Sequence, residues 1–418
     1  MVYEFPTDLK PRWIFKEISR LLNEDEILLL NGMRQVGKTS LLYLLIDYLQ
    51  KKKGISKNRI VYFDLENITD FEDLEGLRDY NNFITLLKDK YKVNLSDRVY
   101  VFIDEIQHLS NPSSFLKYIY EHWRQKIKFV VTGSSSLEIR KKFSDALTGR
   151  VLSFEIYPLD YKEFLDFREM TRSKETFEEY AIFGGFPAVS LKTNRETKIK
   201  LLGEIYSLYV KRDIKDLGKI ADVLSFNNLV KILSSQTGGL VSETNLSETA
   251  GVSRPTLRSH LSLLENTFVI DLMTPFFSNL GRETRKMPKL YFNDTGLRNA
   301  IMDNFLDLDR RTDKGVLIES AIYSEIKKVG GKVHFWRTET KQEIDFVLMN
   351  REKVVPMEVK YQSFRRPLAP INLRRFIEVY RPDRAYVLTR DYSGREKIGA
   401  TEVIFKPCYR FNEQKSVE

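Results

Sequence analysis

Near the N-terminus, Gly32-Met33-Arg34-Gln35-Val36-Gly37-Lys38-Thr39 has the spacing G-x-x-x-x-G-K-[ST]. An apolar run precedes it and a helical pattern, Ser40–Lys51, follows it, which is the strand–loop–helix setting in which this spacing cradles phosphate. The glycines let backbone N–H groups curl round phosphate oxygens, and the helix N-terminus adds positive potential. Lys38 places a cation at the β- and γ-phosphates, and Thr39 offers a hydroxyl to Mg²⁺. Gly32, Met33, Arg34, Gln35, Val36, Gly37, Lys38, Thr39 and Ser40 are therefore the candidate nucleotide cradle.

The second half of such a site is an apolar strand ending in acids, and Val99-Tyr100-Val101-Phe102-Ile103-Asp104-Glu105 supplies one. Asp104 is the candidate for the Mg²⁺ shell. Glu105 is the candidate to orient or deprotonate the attacking water. The plainer alternative is a solvated turn. The run Lys128–Thr132 ends in Gly133-Ser134-Ser135-Ser136. Thr132 or Ser134 could sense the γ-phosphate, and a serine N-cap could coexist with that role. Arg150 closes Leu147-Thr148-Gly149-Arg150. It is a candidate finger toward a neighbouring subunit's nucleotide, or an ordinary surface arginine.

These residues need a scaffold. The runs Glu26–Asn31, Ile60–Asp64, Arg98–Asp104, Lys128–Thr132 and Val151–Ile156 are short, apolar and barely alternating, as strands buried on both faces are. Helical patterns such as Pro112–Gln125 lie between them, so a three-layer α/β domain with a parallel sheet is expected. From Tyr157 to about Leu233 the pattern is helical, interrupted by Gly184-Gly185-Phe186-Pro187.

Glu243–Ala250, Gly251-Val252-Ser253 and Arg254–Glu265 read as helix-turn-helix. Gly251 permits the turn, Ser253 caps the second helix, and Leu257, Leu261 and Leu264 form its apolar stripe. Arg254, Thr256 and Arg258 face outward near the helix N-terminus, where base edges are met. Two strands follow, and the segment between them carries Arg282, Arg285, Lys286 and Lys289 against a single acid, Glu283. That predicts a basic wing in contact with DNA phosphates. The alternative is a winged helix with a purely internal, regulatory role.

A helix (Leu317–Val329) then precedes strands Lys332–Arg337, Glu343–Met349 and Lys353–Lys360, followed by a helix near Asn372–Tyr380 and a strand Arg384–Leu388. Asp345 and Glu358 stand thirteen positions apart, and Glu358 shares a strand face with Lys360. Paired as a hairpin, Asp345 and Glu358 would hold Mg²⁺ or Mn²⁺, with the Val359 carbonyl as a further oxygen ligand. Lys360 would position or activate the water that attacks a phosphodiester. The order helix Glu319, strand Asp345, then Glu358-Val359-Lys360 resembles the PD-(D/E)XK nuclease core. Acids in a domain that has lost cleavage, or that face solvent, are the alternative.

The 418 residues are 42% hydrophobic and 30% charged, an ordinary globular balance with room for several domains. There is no apolar run long enough to cross a membrane and no secretory h-region, and Cys408 is the single cysteine. A disulfide framework and a Cys-rich zinc site are thus excluded, and a soluble, cytoplasmic protein is expected. The net charge of +9 favours an anionic partner such as DNA, though a surplus spread this thinly also suits a plain soluble surface.

GMRQVGKTSLL, YVFIDEIQHL, TGSSS, LTGRV and YPLDYKEFL, in this order, resemble archaeal and bacterial ATPases of the AAA+/STAND branch of P-loop NTPases. The resemblance spans essentially the whole chain. It implies ATP and Mg²⁺ as cofactors, and a nuclease-like domain at the C-terminus. It also implies that Gly185-Phe186-Pro187 is the branch's G-x-P motif, with Pro187 against the adenine. The expected order is a P-loop domain (1–156), a helical lid (157–236), a winged helix (237–300) and a restriction-endonuclease-like α/β domain (301–418). The expected function is Mg²⁺-dependent ATP hydrolysis coupled to DNA binding and metal-dependent DNA cleavage, in a possible homo-oligomer. Its rival is an ATP-gated switch whose C-terminal domain is a docking module.

Overall fold

In a computed structural model, the structure describes residues 6, 8–77, 79–134, 147–211, 214, 220, 222–276, 287–328, 330–350 and 353–412. The chain forms two compact units, Met1–Tyr157 and Pro158–Glu418.

The first unit is built on five strands: β1 (Ile27–Asn31), β2 (Ile60–Asp64), β3 (Val99–Asp104), β4 (Ile127–Gly133) and β5 (Val151–Glu155). They lie in the order β2-β3-β4-β1-β5, and every pairing is parallel. β1, β3 and β4 are buried at every position, which explains their unbroken apolar runs. Helices Lys38–Lys51 and Pro112–Trp123 are among those that cover the sheet, and Phe63, Phe83, Phe115 and Phe129 pack together in its core. In a parallel sheet all strand C-termini share one edge. The loop after β1 and the acids after β3 therefore meet there, at the switch point where β1 was inserted between β4 and β5.

The second unit opens with helices Tyr161–Arg168, Lys174–Phe183, Arg195–Leu208 and Val223–Ser235. The first two carry full capping boxes, Asp160 with Glu163 and Ser173 with Thr176. Helices Glu243–Ala250 and Arg254–Asn266 follow, joined through Gly251 in the left-handed conformation. A short antiparallel pair comes next, β6 (Ile270–Met273) with β7 (Lys289–Phe292). The expected wing tip, with Arg282, Arg285 and Lys286, lies outside the described residues.

The last sheet has six strands in the order β12-β13-β11-β10-β9-β8. These are β8 (Lys332–Arg337), β9 (Glu343–Asn350), β10 (Lys353–Lys360), β11 (Arg384–Thr389), β12 (Gly394–Ile398) and β13 (Thr401–Pro407). Helix Lys314–Lys328 precedes the sheet, and helix Ile371–Tyr380 packs Leu373, Phe376 and Ile377 into its core. β9 and β10 pair antiparallel in a register that ends with Met357 opposite Phe346, the residues next to Glu358 and Asp345.

Candidate functional site

Gly32 is fixed as glycine by its surroundings, because a Cβ there would lie 2.1 Å from the Ile156 carbonyl oxygen. Gly37 turns the loop with φ 95° directly before helix Lys38–Lys51. The side chains of Met33 and Val36 are buried in the core, so only their backbone can serve the cradle. Lys38 is buried too, and its Nζ donates to the carbonyls of Gly32 at 3.0 Å and Met33 at 2.9 Å. The Thr39 hydroxyl donates to Asp104 Oδ2 at 2.6 Å. Lys38 Nζ stands 3.8 Å from Glu105 Oε1. The sequence-predicted cradle and both acids are thus brought to one place.

Burial raises the Asp104 carboxyl above its usual range, and the Thr132 and Thr39 hydroxyls offset this only in part. For Glu105, burial pushes upward but the charges of Lys38 and Arg34 outweigh it, holding that carboxyl low and ionised. A buried carboxylate beside a hydroxyl, with an ammonium close by, fits a Mg²⁺ held by one carboxylate, water and substrate phosphates. Thr39 and Asp104 would hold it.

Thr132 stands near the end of β4, beside both acids. Its hydroxyl donates to Asp104 Oδ1 and accepts from the Glu105 N–H at 2.9 Å. It therefore links the two acids. Glu105 adopts φ 54°, a left-handed conformation uncommon for a non-glycine residue, and this linkage helps to hold it. Ser134 accepts from Gln107 Nε2 at 2.9 Å, and the same nitrogen meets the Glu105 carboxylate.

Other residues of the site carry no sequence signature. Tyr62 donates to Asp104 Oδ2 at 3.3 Å. Arg12 is buried and donates to the carbonyls of Val36 at 3.1 Å and Tyr157 at 2.7 Å, pinning the loop from behind. Arg34 pairs with Glu66 at 3.6 Å. A lone arginine in Lys10-Pro11-Arg12 gives no hint of such a role.

Arg150 lies at the other end of the sheet. Its carbonyl accepts from the N–H of Ile27, where β1 begins, and its guanidinium meets Glu121 at 2.9 Å. Pro187 belongs to the second unit and starts the short helix Pro187–Ser190. The glycines beside it have a packing reason there. A Cβ on Gly184 would strike the Asp294 carboxylate, and one on Gly185 would strike the Leu159 carbonyl, each at 2.1 Å.

On helix Arg254–Asn266, Leu257, Leu261 and Leu264 are buried, while Arg254, Thr256 and Arg258 are exposed. Two of the three are already engaged. The Thr256 hydroxyl meets that of the capping Ser253 at 2.8 Å, and the Arg258 Nε donates to both Glu243 carboxylate oxygens at 2.9 and 3.0 Å.

Lys289 corrects the basic-wing expectation. It is only 3% exposed, and its ammonium meets Glu343 and lies 3.5 Å from Glu319 Oε1. The cation expected on the wing surface is instead inside the C-terminal acid cluster. Within that cluster Lys360 Nζ lies 2.6 Å from Glu358 Oε1, and Asp345 Oδ2 accepts from the Val359 N–H at 2.8 Å. Tyr291 donates to Glu319. Burial and mutual repulsion raise Glu319, Asp345 and Glu358 above the usual carboxylate range, despite Lys289 and Lys360. Glu358 Oε2 is buried with no partner. Among the described residues no three His, Cys, Asp or Glu side chains converge on a metal position. The donor set does not fit a divalent cation as arranged, because lysines and a backbone N–H occupy the oxygens such an ion needs.

Residues 24–165 match the family model described as AAA domain. Residues 174–310 and 314–409 match models described as Domain of unknown function (DUF8612) and Domain of unknown function (DUF4143). An uncharacterized protein of Haemophilus influenzae is 25% identical over 400 residues, covering 93% of this chain and 95% of that protein. An uncharacterized protein of Methanocaldococcus jannaschii is 25% identical over 390 residues, covering 89% of this chain and 81% of that protein. Among solved structures, the Aeropyrum pernix ORC2 protein in its ADPNP–ADP complexes gives a TM-score of 0.41 at 12% identity, covering 75% of this chain and 93% of that one. Domain III of the Thermotoga maritima replication initiation protein DnaA gives 0.29 at 16% identity, covering 50% and 85%. The parallel five-stranded sheet and the loop with its two acids agree with the AAA domain match over residues 24–165. No described helix is long and apolar enough to cross a membrane.

Proposed function

We propose that this protein is a Mg²⁺-dependent ATPase of the AAA+/STAND type whose nucleotide cycle is coupled to DNA contact through the winged helix. The observation that carries this reading is the Thr39 hydroxyl on Asp104, with Lys38 and Glu105 beside it. On nucleotide binding Lys38 exchanges the carbonyls of Gly32 and Met33 for β- and γ-phosphate oxygens, while the loop N–H groups take the remaining charge. Bound Mg²⁺ supplies further charge neutralisation at those phosphates. Glu105, kept ionised, orients the attacking water and accepts its proton. Arg254 and the cations Arg285 and Lys286 meet DNA phosphates.

Lys38→Ala should abolish tight ATP binding, measured by titration of a fluorescent analogue. Glu105→Gln should bind ATP but stall hydrolysis. Equal turnover for wild type and Glu105→Gln would remove Glu105 from the mechanism.

A second reading concerns the C-terminal domain. Lys289 inside the acid cluster favours a nuclease-like fold used for docking, without phosphodiester chemistry by Asp345, Glu358 and Lys360. Incubation with single-stranded, duplex and branched DNA and Mn²⁺ tests it: cleavage lost in Asp345→Ala and Glu358→Ala would overturn it.

A further inference from the structure

The positive surplus of the chain is not spread evenly. Residues 361–410 hold eleven Lys and Arg against five Asp and Glu, so six of the net +9 fall within them. Part of that charge lines a cavity of about 590 Å³ on the last sheet. Arg384 and Tyr386 reach it from β11, Arg395 from β12, Ile404 and Lys406 from β13, and Arg410 from the turn after β13. Glu402 is the one acid among the residues that line it.

The strand register explains this arrangement. β13 pairs with both β11 and β12, which sets Tyr386 beside Ile404 and Ile404 beside Arg395. Side chains alternate along a strand, so this row faces away from Val387 and Phe405, which pack in the core with helix Ile371–Tyr380. Glu358 is registered with Val387. The cavity therefore lies on the sheet face opposite to Glu358 and Lys360, and it is no part of the acid cluster. Lys406 is registered with Leu388, four residues beyond Arg384, which is about 13 Å along the sheet at 3.3 Å per residue. Between these two cations the floor is the half-buried pair Tyr386 and Ile404. Among the described residues, the Arg384 guanidinium and the Tyr386 hydroxyl make no hydrogen bond or ion pair. Arg395 meets Glu402 at 2.8 Å, but with side chains 75% and 38% exposed this pair is weak and gives way to a stronger anion. Lys406 Nζ donates to the Phe411 carbonyl at 3.4 Å.

Guanidinium forks match phosphate oxygens in pairs, and an aromatic ring set between cations offers a face to a flat partner. A duplex keeps its base faces stacked inside, whereas an unpaired base exposes one. Cations at both ends of the floor call for phosphate on both sides of that base, and a mononucleotide carries it on one side only. We propose that this cavity binds single-stranded nucleic acid, with one base on Tyr386 and the flanking phosphates on Arg384 and Arg395 at one end and Lys406 and Arg410 at the other. The site is separate from the DNA contact proposed above and rests neither on it nor on the ATP chemistry.

The test is fluorescence anisotropy of a labelled oligothymidylate with the full-length protein, in chelator and without ATP. Arg384→Ala with Arg395→Ala removes two phosphate contacts, so the slope of log affinity against log salt should shrink by about 1.4. Tyr386→Leu should lower affinity about tenfold and leave the slope as in wild type. Arg384→Lys with Arg395→Lys, which keeps the charge, should keep the slope. Lys51→Ala with Lys52→Ala, which removes as much charge from an exposed helix end in the first unit, should bind as wild type does. Both arginines are exposed, so their double variant should unfold at the wild-type midpoint. Should Tyr386→Leu unfold below that midpoint, the slope of the arginine variant decides alone. An unchanged affinity and slope in that variant would overturn the proposal. Deoxythymidine monophosphate that displaces the strand at an equal concentration of nucleotide units would overturn it in favour of a free nucleotide. A duplex bound as tightly through the same arginines would overturn it in favour of unselective phosphate contact. Duplex binding by Arg285→Ala with Lys286→Ala reads the contact proposed above separately, so either can fail alone.

Discussion

Thr132 illustrates what a residue's position adds to its type. A polar residue at the end of β4 reads as a sensor of the γ-phosphate, yet its hydroxyl is directed at Asp104 and at the backbone of Glu105. Its effect on turnover then runs through the two acids. Thr132→Val keeps the shape and deletes the hydroxyl, leaving Glu105 with φ 54° and no anchor from that side. We expect ATP affinity to stay near wild type while kcat falls by on the order of tenfold, the pattern of an interaction used only in the transition state. The Mg²⁺ concentration for half-maximal rate should rise, because Asp104 loses a positioning donor. Thr132→Ser should restore most of both. A Thr132→Val enzyme with unchanged kcat and unchanged Mg²⁺ dependence would leave Thr132 with a packing role only.

At the scale of elements, the parallel sheet was legible because buried strands repeat one simple pattern, and the phosphate loop because its spacing is rare. Two strands were missed. β12 is Gly-Arg-Glu-Lys-Ile and holds no buried position, so no apolar signal marks it. β13 alternates buried and half-buried along Thr401–Pro407, a signal present but short. Lys289 was misplaced because a charge count along a segment cannot tell which side chain turns inward.

The capping box at Asp160 has a measurable consequence. Asp160 is buried among Glu325, Glu163 and Lys328, and burial followed by the charge of Glu325 pushes its carboxyl up to about 7. The folded protein therefore holds that proton more tightly than the unfolded chain. The stability it contributes is complete below the ordinary value of 3.8 and is lost as pH rises through about 7. Asp160→Asn retains a side-chain acceptor for the Glu163 N–H and does not titrate. Its stability relative to wild type should grow across that window by up to about 4 kcal/mol, less where Glu325 shares the proton. Denaturant midpoints on either side of the window check it, and a pH-independent difference would remove Asp160 from the account.

At the scale of the whole molecule, DNA contact is read from its salt dependence. Arg258 is held by Glu243 and Thr256 by the cap, so the DNA contact proposed above would fall mainly to Arg254, Arg285 and Lys286. Replacing Arg285 and Lys286 by Ala should shrink the slope of log affinity for duplex DNA against log salt by roughly two. An unchanged slope would move the helix-turn-helix and the basic segment after it to an internal role.

Arg150 bears on assembly. It stands where β1 begins, and the phosphate loop starts where β1 ends, a separation of about 13 Å at 3.3 Å per residue. That is too far for its guanidinium to reach its own nucleotide, so any phosphate it meets belongs to a second copy. Its exposed pair with Glu121 is worth roughly 0–1 kcal/mol and yields readily to phosphate charge. Arg150→Ala should therefore keep nucleotide affinity and lose turnover, while Glu121→Ala should keep both. Mixing Arg150→Ala with Glu105→Gln juxtaposes, at some interfaces, an intact Arg150 from one copy and an intact Glu105 from the other. Turnover should recover in part on mixing, though neither variant turns over alone. A strictly monomeric protein with full ATPase activity, or a mixture no more active than its components, would return Arg150 to a surface role.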